Sequence, residues 1–141
     1  MDAVEFANKY GPWVLIAGAS EGTGASFAQQ LAEKGLNLIL VARREGPLEQ
    51  LAAQIHAEHG VECITATIDL AKDDATDRLL AVADGREVGL VILNAGADPN
   101  GSMFLDGDIA NWDSLATRNV ITTMRALHAF GKPMRNRGRG G

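Results

Sequence analysis

Residues 13–24 read WVLIAGASEGTG, an apolar run followed directly by a turn that holds three glycines. The run Trp13–Ala17 is too short for a helix and is bounded by glycines and Pro12, so it predicts a buried strand. A helical pattern from Ala25 to Lys34 follows the turn. A turn without Cβ atoms lets a pyrophosphate approach the backbone, and the N–H groups of the helix N-terminus can bind it. The alternative is a glycine turn that serves only close helix–strand packing.

The rest of the chain alternates strands and helices in the same way. Apolar runs predict further strands at Leu36–Ala42, Val61–Ile68 and Val88–Leu93. Helical patterns predict helices from Gly46 to Gly60, from Asp73 to Ala83 and from about Asn111 to Phe130. Alternation with short connections indicates an α/β fold with a parallel sheet and right-handed crossovers. We therefore expect one domain over residues 1–141.

Composition and charge exclude several classes of protein. The 141 residues are 46% hydrophobic and 22% charged, which is typical of a soluble globular domain. The net charge is −5, but residues 132–141 carry four bases and no acid, so the first 131 residues carry −9. An acidic body gives no footprint for nucleic acid, and no apolar run is long enough to cross a membrane. The basic end is typical of a helix C-terminus followed by a glycine turn.

Two arginines, Arg43 and Arg44, follow the second predicted strand, 19 residues after Gly24. Dinucleotide-binding folds place an acid here for the ribose 2′-hydroxyl, or an arginine where a 2′-phosphate is held. A planar guanidinium suits a phosphate better than a neutral diol. The pair therefore predicts a preference for NADP(H) over NAD(H). Glu21 argues in the opposite direction because a carboxylate repels a phosphate, and a solvated pair of arginines is the alternative.

Five short motifs occur in order along the chain: Gly18-Ala19-Ser20-Glu21-Gly22-Thr23-Gly24, Ala42-Arg43-Arg44, Asp69-Leu70, Asn94-Ala95-Gly96, and Trp112-Asp113 before Asn119. In this order and spacing the chain, from about Gly11 to its end, resembles the short-chain dehydrogenase/reductase family. The resemblance implies a Rossmann-type doubly wound parallel sheet with strand order 3-2-1-4, truncated after the fourth helix. It also implies hydride transfer between NADP(H) and an alcohol or carbonyl.

The same resemblance implies roles for single residues. Cofactor binding falls to the glycine loop (Gly18, Ser20, Glu21, Gly22, Thr23 and Gly24) around the pyrophosphate, to Arg43 and Arg44, to Asp69 and Leu70 at the adenine, and to Asn94, Ala95 and Gly96 along the cleft. Asn119 matches an asparagine that holds a water in the proton relay to a catalytic lysine. Simpler interpretations stay open: Asp69 caps the next turn, Asn94 is structural, and Asn119 is an ordinary solvated residue.

A proton donor for the developing alkoxide is the part of this chemistry that the chain lacks. In the family a Tyr-x-x-x-Lys pair and a serine supply it. The sole tyrosine here, Tyr10, precedes the first strand, and no Tyr-x-x-x-Lys occurs. We therefore expect the first half of a longer enzyme, inactive alone, whose full length takes a small alcohol or carbonyl. The alternatives are a non-catalytic dinucleotide-binding module, a decayed gene product or, least favoured, a methyltransferase-type domain that binds S-adenosylmethionine.

The sequence also bears on partners, metals and location. An unpaired fourth strand and an apolar last helix predict a homo-oligomer, with apolar positions at Leu115, Val120, Ile121, Met124, Leu127 and Phe130. The three histidines are too scattered for a metal site. Single Cys63 favours the reducing cytoplasm and a small core residue. Met103 and Phe104, in the loop Ala97–Asp108, predict one apolar wall of a substrate pocket.

Overall fold

Four parallel strands form one sheet in the computed structural model, which describes residues 1–96 and 101–141. The strands are β1 (Trp13–Ala17), β2 (Asn37–Ala42), β3 (Cys63–Thr67) and β4 (Val88–Leu93). Their order is β3-β2-β1-β4, and every neighbouring pair is parallel. The predicted α/β class and the predicted strand order are confirmed. Both β2 and β3 are slightly shorter than the apolar runs that predict them.

Six α-helices and one π-helical turn flank the sheet within the described residues: α1 (Ala3–Tyr10), α2 (Gly22–Glu33), α3 (Glu45–His59), α4 (Ala75–Ala83), α5 (Ile109–Ala116), the π-turn (Thr117–Ile121) and α6 (Thr122–Arg137). The prediction of one continuous helix from Asn111 to Phe130 is wrong in two respects. A π-turn interrupts the helix, and the helix continues seven residues further, to Arg137, with Pro133 inside α6. Helix α2 begins at Gly22, three residues before the predicted start.

Helix α1 has no counterpart in the sequence-based prediction. Its N-terminus is a capping box in which Asp2 Oδ1 accepts from the Glu5 N–H at 2.8 Å and Glu5 Oε2 accepts from the Asp2 N–H at 3.0 Å. Such a box satisfies two helix N-terminal donors at once. The helix places Tyr10 directly before β1, at the amino end of the sheet. A tyrosine there cannot serve a site at the carboxyl ends of the strands.

The sheet separates two apolar cores, one on each face. Leu15 and Ala17 of β1 pack on one face with α4 and α6, while Val14 and Ile16 pack on the other with α2 and α3. Because helices cover both faces, all five residues of β1 are buried. Open sheets of this kind bind ligands at the carboxyl ends of their strands, where the chain switches from one face to the other.

The outer edge of β4 is partly paired, which corrects the expectation of a bare edge. The Gly141 N–H donates to the Gly89 carbonyl at 3.0 Å, and the Val91 N–H donates to the Gly141 carbonyl at 3.0 Å. Two basic residues of the tail hold it there: Arg137 and Arg139 both pair with Glu87. The turn after α6 is the expected one, with Gly138 in the left-handed region at φ 71°.

One face of the π-turn and α6 carries exposed apolar side chains. Val120 is exposed, and Met124 and Leu127 are 59% and 53% exposed, whereas Phe130 lies in the core. The apolar face expected from the sequence is therefore present, but without Phe130. No helix within the described residues is both long and apolar enough to cross a bilayer.

Candidate functional site

The turn between β1 and α2 closes so tightly that two of its positions require glycine. Gly18 has φ +81°, and a Cβ atom there would lie 2.8 Å from the Ala95 backbone nitrogen. A Cβ atom on Gly24 would lie 1.9 Å from the Gly18 carbonyl oxygen. The absence of side chains at these positions lets the loop run against both the helix and the end of β4. The interpretation of the glycines as packing residues is thus correct for these two, and it is compatible with ligand binding.

The N-terminus of α2 opens at the carboxyl edge of the sheet. Within the described residues no side chain caps it: Glu21 is the N-cap residue but makes no capping hydrogen bond, and the first turn holds no acid. The first N–H groups of a helix have no partner inside the helix, and the helix dipole adds partial positive charge there. The backbone of Gly22 and Thr23 therefore belongs to a site suited to an anion.

A cleft of about 500 Å³ lies beside this helix N-terminus. It is lined by the end of β2, by residues that follow each of the four strands, and by one residue of the π-turn: Gly18, Ser20, Glu21, Val41, Ala42, Arg43, Arg44, Ile68, Leu70, Asn94, Ala95, Gly96 and Arg118. The structure thus brings nine of the predicted site residues to one cavity. It does not place Gly22, Thr23, Gly24, Asp69 or Asn119 in the lining.

Glu21 and Arg44 form an ion pair across the mouth of the cleft. Arg44 Nη2 lies 3.2 Å from Glu21 Oε2, and the two side chains are 63% and 77% exposed. A pair so exposed contributes at most about 1 kcal/mol to stability. The contact does change the electrostatics, because Glu21, the one carboxylate among the described lining residues, is already paired with a cation. Arg43 is exposed and makes no ion pair with any residue described by the structure.

Asp69 and Leu70 follow β3 but differ in placement. Asp69 Oδ1 accepts from the Ala71 N–H at 3.0 Å, so the carboxylate closes its own turn, as the simpler interpretation expects. Leu70 is buried and lines the cleft. Its carbonyl accepts a buried hydrogen bond of 2.7 Å from Thr122 Oγ1 at the start of α6. This bond holds the wall formed by the π-turn and α6 against the loop after β3.

Asn94 connects the end of β4 to the glycine loop. Its N–H donates to the Ala17 carbonyl at 2.9 Å, and its Nδ2 donates to the Gly18 carbonyl at 3.4 Å. The side chain therefore supports the loop that forms the floor of the cleft. A structural role for Asn94 is present in the structure, and the same side chain also lines the cavity.

Asn119 lies in the π-turn beside the Asn94-Ala95-Gly96 segment. Its Nδ2 donates to the Leu115 carbonyl at 2.9 Å, and its Oδ1 occupies the space where a Cβ on Gly96 would be, 2.4 Å from that position. Single π-turns inside helices are frequent at functional sites because they redirect side chains. The residue is exposed and adjoins the cleft without lining it.

The sequence analysis missed Arg118, which is 8% exposed and lines the cleft. Residues 118, 122, 126, 130 and 134 are all buried and recur every four positions. This spacing marks one face of a helix, so the arginine occupies the position that the core pattern assigns to an apolar residue. Steps of four residues back along the sequence from Phe130 lead to position 118, so this pattern could have identified the arginine before the structure was known.

The loop between β4 and α5 is described only in part. Residues 97–100, the first part of the predicted loop Ala97–Asp108, lie outside the described residues. Met103 and Phe104 are strongly exposed and do not line this cleft, so the apolar wall of a substrate pocket stays a prediction. The Phe104 ring stacks on Trp112 with centroids 5.6 Å apart, and Trp112 Nε1 donates to the Phe104 carbonyl at 3.0 Å.

Other reactive side chains lie away from the cleft. Cys63, at the start of β3, is half-buried, and burial raises the pKa of its thiol to about 11. Such a thiol stays protonated at neutral pH and is a poor nucleophile. Within residues 1–96 and 101–141, no three histidine, cysteine, aspartate or glutamate side chains lie close enough together to bind a metal ion.

A parallel sheet with order 3-2-1-4 and a glycine turn before an open helix N-terminus define a Rossmann-type nucleotide-binding domain. Residues 12–141 match the family described as short chain dehydrogenase, and the chain belongs to that family. It is 34% identical over 137 residues to a 7beta-hydroxysteroid dehydrogenase of Clostridium sardiniense, which covers 97% of this chain and 52% of the relative. The chain thus spans about half the length of this relative.

Solved structures agree with this assignment. A 7beta-hydroxysteroid dehydrogenase structure superposes with a TM-score of 0.91 at 29% identity, over 99% of this chain and 54% of that one. A short-chain dehydrogenase of Sphingobium yanoikuyae, solved in complex with NADPH, superposes with a TM-score of 0.84 at 32% identity. That match covers 92% of this chain and 51% of the other.

Proposed function

We propose that this chain is the dinucleotide-binding part of a short-chain oxidoreductase that transfers hydride between NADP(H) and an alcohol or carbonyl. The observation that carries the proposal is the glycine turn at the open N-terminus of α2, which adjoins the cleft that Arg43 and Arg44 also line. In this arrangement, backbone N–H groups of residues 22–24 bind the pyrophosphate. Leu70 packs on the adenine, and Asn94-Ala95-Gly96 supports the cleft.

The preference for NADP(H) rests on the charges of the cleft. Among the described residues, its lining holds three arginines and one carboxylate, Glu21, which pairs with Arg44. The pairing removes the objection that Glu21 repels a 2′-phosphate, and it leaves Arg43 as the cation that binds it. A charge-assisted hydrogen bond of this kind contributes about 1.5–3 kcal/mol, so we propose at least about tenfold tighter binding of NADPH than of NADH.

Bound nicotinamide supplies the hydride, while the residues of this chain bind and orient the cofactor. Asn119, beside Gly96, is proposed to hold a water of the proton relay. The sequence contains no Tyr-x-x-x-Lys, so none of its groups matches the family's proton donor. We therefore propose that the 141-residue chain binds the cofactor and does not turn it over. The same observation favours the second candidate function, a non-catalytic dinucleotide-binding module, or a decayed gene product.

The substrate, assembly and location are further parts of the proposal. Exposed Met103 and Phe104, in the loop between β4 and α5, favour a partly apolar substrate for the whole enzyme. The 7beta-hydroxysteroid dehydrogenase relative is named for a hydroxysteroid, which is an apolar alcohol. Exposed Met124 and Leu127 favour association with a second copy of the chain. The free thiol of Cys63 favours the cytoplasm.

Titration of the purified chain tests the cofactor proposal. NADPH, NADH and S-adenosylmethionine are added separately, and binding is followed by calorimetry, with circular dichroism to verify folding. We expect NADPH to bind most tightly, NADH about tenfold or more weaker, and S-adenosylmethionine not at all. Binding of S-adenosylmethionine alone, or of no dinucleotide, would refute the proposal. Oxidation of NADPH with a panel of ketones distinguishes the two candidate functions once the protein is joined to a Tyr-x-x-x-Lys-bearing half.

A further inference from the structure

Within residues 1–96 and 101–141, Arg118 is the one charged residue that is almost fully buried and also lines the cleft. It lies on the buried face of the π-turn and α6, four residues before Thr122. The helix runs away from the carboxyl edge of the sheet, so residue 118 is the last of the buried series before the cleft. Its place in the core pattern points the side chain toward the sheet and its charge into the cavity.

The neighbouring contacts locate Arg118 within the cleft. Thr122 Oγ1 donates to the Leu70 carbonyl at 2.7 Å, which fixes the start of α6 against the loop after β3. Arg118 therefore belongs to the same part of the cavity as Ile68 and Leu70, which are the buried apolar residues contributed by the end of β3. An apolar slot beside the arginines that follow β2 fits a flat heteroaromatic base, not a phosphate.

Resting on the proposed function, we propose that Arg118 contacts the cofactor directly, with its guanidinium packed against the adenine base. A guanidinium hydrogen-bonds through its edge and stacks through its faces, so hydrogen bonds to other protein groups are compatible with stacking on the base. Cation–π contacts are strongest where both groups are shielded from water, as in this part of the cleft. Arg43 would then recognise the 2′-phosphate, and Arg118 the adenine that all dinucleotide forms share.

The test compares ligands that contain adenine with one that does not. Three variants of the full chain are titrated with NADPH, NADH, AMP and reduced nicotinamide mononucleotide: Arg118→Met removes the charge and the plane, Arg118→Lys keeps the charge, and Arg125→Met removes the same charge from an exposed position of α6. We expect Arg118→Met to weaken the binding of NADPH, NADH and AMP by similar factors, roughly 5- to 30-fold, and to leave the affinity for reduced nicotinamide mononucleotide unchanged. Arg118→Lys should lose most of the same affinity, and Arg125→Met none.

Each other outcome contradicts the inference in a recognisable way. Unchanged AMP affinity in Arg118→Met would exclude an adenine contact. A much larger loss for NADPH than for NADH would assign Arg118 to the 2′-phosphate instead. Equal losses for the mononucleotide would show general damage to the fold. If the unmodified chain bound none of these ligands, the proposed function itself would fail, whereas binding by the unmodified chain with no effect of Arg118→Met would overturn only the contact proposed here.

Discussion

Replacement of Gly24 by alanine tests whether the closed glycine turn is needed for binding. The added Cβ would lie 1.9 Å from the Gly18 carbonyl oxygen and 3.1 Å from the Ala19 Cα. The first distance is about 1.5 Å shorter than an ordinary van der Waals contact, and both groups belong to rigid backbone. The loop and the start of α2 must therefore separate, at a cost of about 1–3 kcal/mol in the free energy of unfolding. Displaced N–H groups should also weaken NADPH binding roughly 10- to 150-fold.

Two other glycines provide matched controls. Gly22 has φ +57° with no atom within 4 Å of an added Cβ, so Gly22→Ala introduces backbone strain of about 1–2 kcal/mol without a clash. Gly46, in α3, has neither problem, so Gly46→Ala should stabilise the chain by about 0.5–1 kcal/mol. Urea unfolding followed by circular dichroism ranks the three variants, and calorimetry gives their affinity for NADPH. If Gly24→Ala unfolds and binds like the unmodified chain, the steric argument is refuted.

Four further changes have expected outcomes. Arg43→Asp should weaken the binding of NADPH at least about tenfold and the binding of NADH by a smaller factor, as measured by calorimetry. Equal losses of affinity for the two dinucleotides would refute the role of Arg43 at the 2′-phosphate. Leu127→Lys should shift the chain toward monomer in analytical ultracentrifugation, unless the unmodified chain is already monomeric. Glu87→Gln removes the partner of two tail arginines and should lower the free energy of unfolding by about 1 kcal/mol in urea; an unchanged midpoint would show the pairs to be inert. Because its pKa is about 11, Cys63 should react with iodoacetamide roughly 200-fold more slowly at pH 8 in the folded chain than in urea.

The raised pKa of Cys63 also sets a direction for the pH dependence of stability. The folded chain holds the thiol proton more tightly than the unfolded chain, whose pKa is near 8.5. Between about pH 8.5 and 11 the folded state therefore binds more protons, and the free energy of unfolding falls as the pH rises. The matched variant Cys63→Ala should lose this component of the slope. A slope in this range that is the same in both proteins would assign it to other groups.

Much of the site followed from local patterns. A buried strand, a glycine turn and a helix are each encoded within a few residues, so the turn at Gly18 and the arginines after β2 could be placed before any coordinates. The family resemblance that the motifs carry then implied the sheet order that the structure confirms. Helix α1 was within reach as well, because the capping box of Asp2 and Glu5 is a sequence signal.

Three features required the tertiary structure. The pairing of Glu21 with Arg44 joins residues 23 positions apart, and only the folded chain shows that the carboxylate opposes a cation before any ligand binds. The π-turn has no local signature, because it depends on how the helix packs on the sheet. Arg137 and Arg139 at the basic end of the chain likewise pair with Glu87, just before β4, and no spacing in the sequence indicates these ion pairs.

The sequence by itself determined the class of fold and the position of the glycine turn, because periodicity, glycine placement and helix starts act over short stretches of chain. Only the tertiary structure decided which side chains share the cleft and which are occupied elsewhere. Asp69 closes its own turn, whereas Arg118, which belongs to no motif singled out in the sequence, lines the cavity. The physical reason is that burial and electrostatic pairing depend on contacts between distant segments, and those contacts exist only after the strands and helices have packed together.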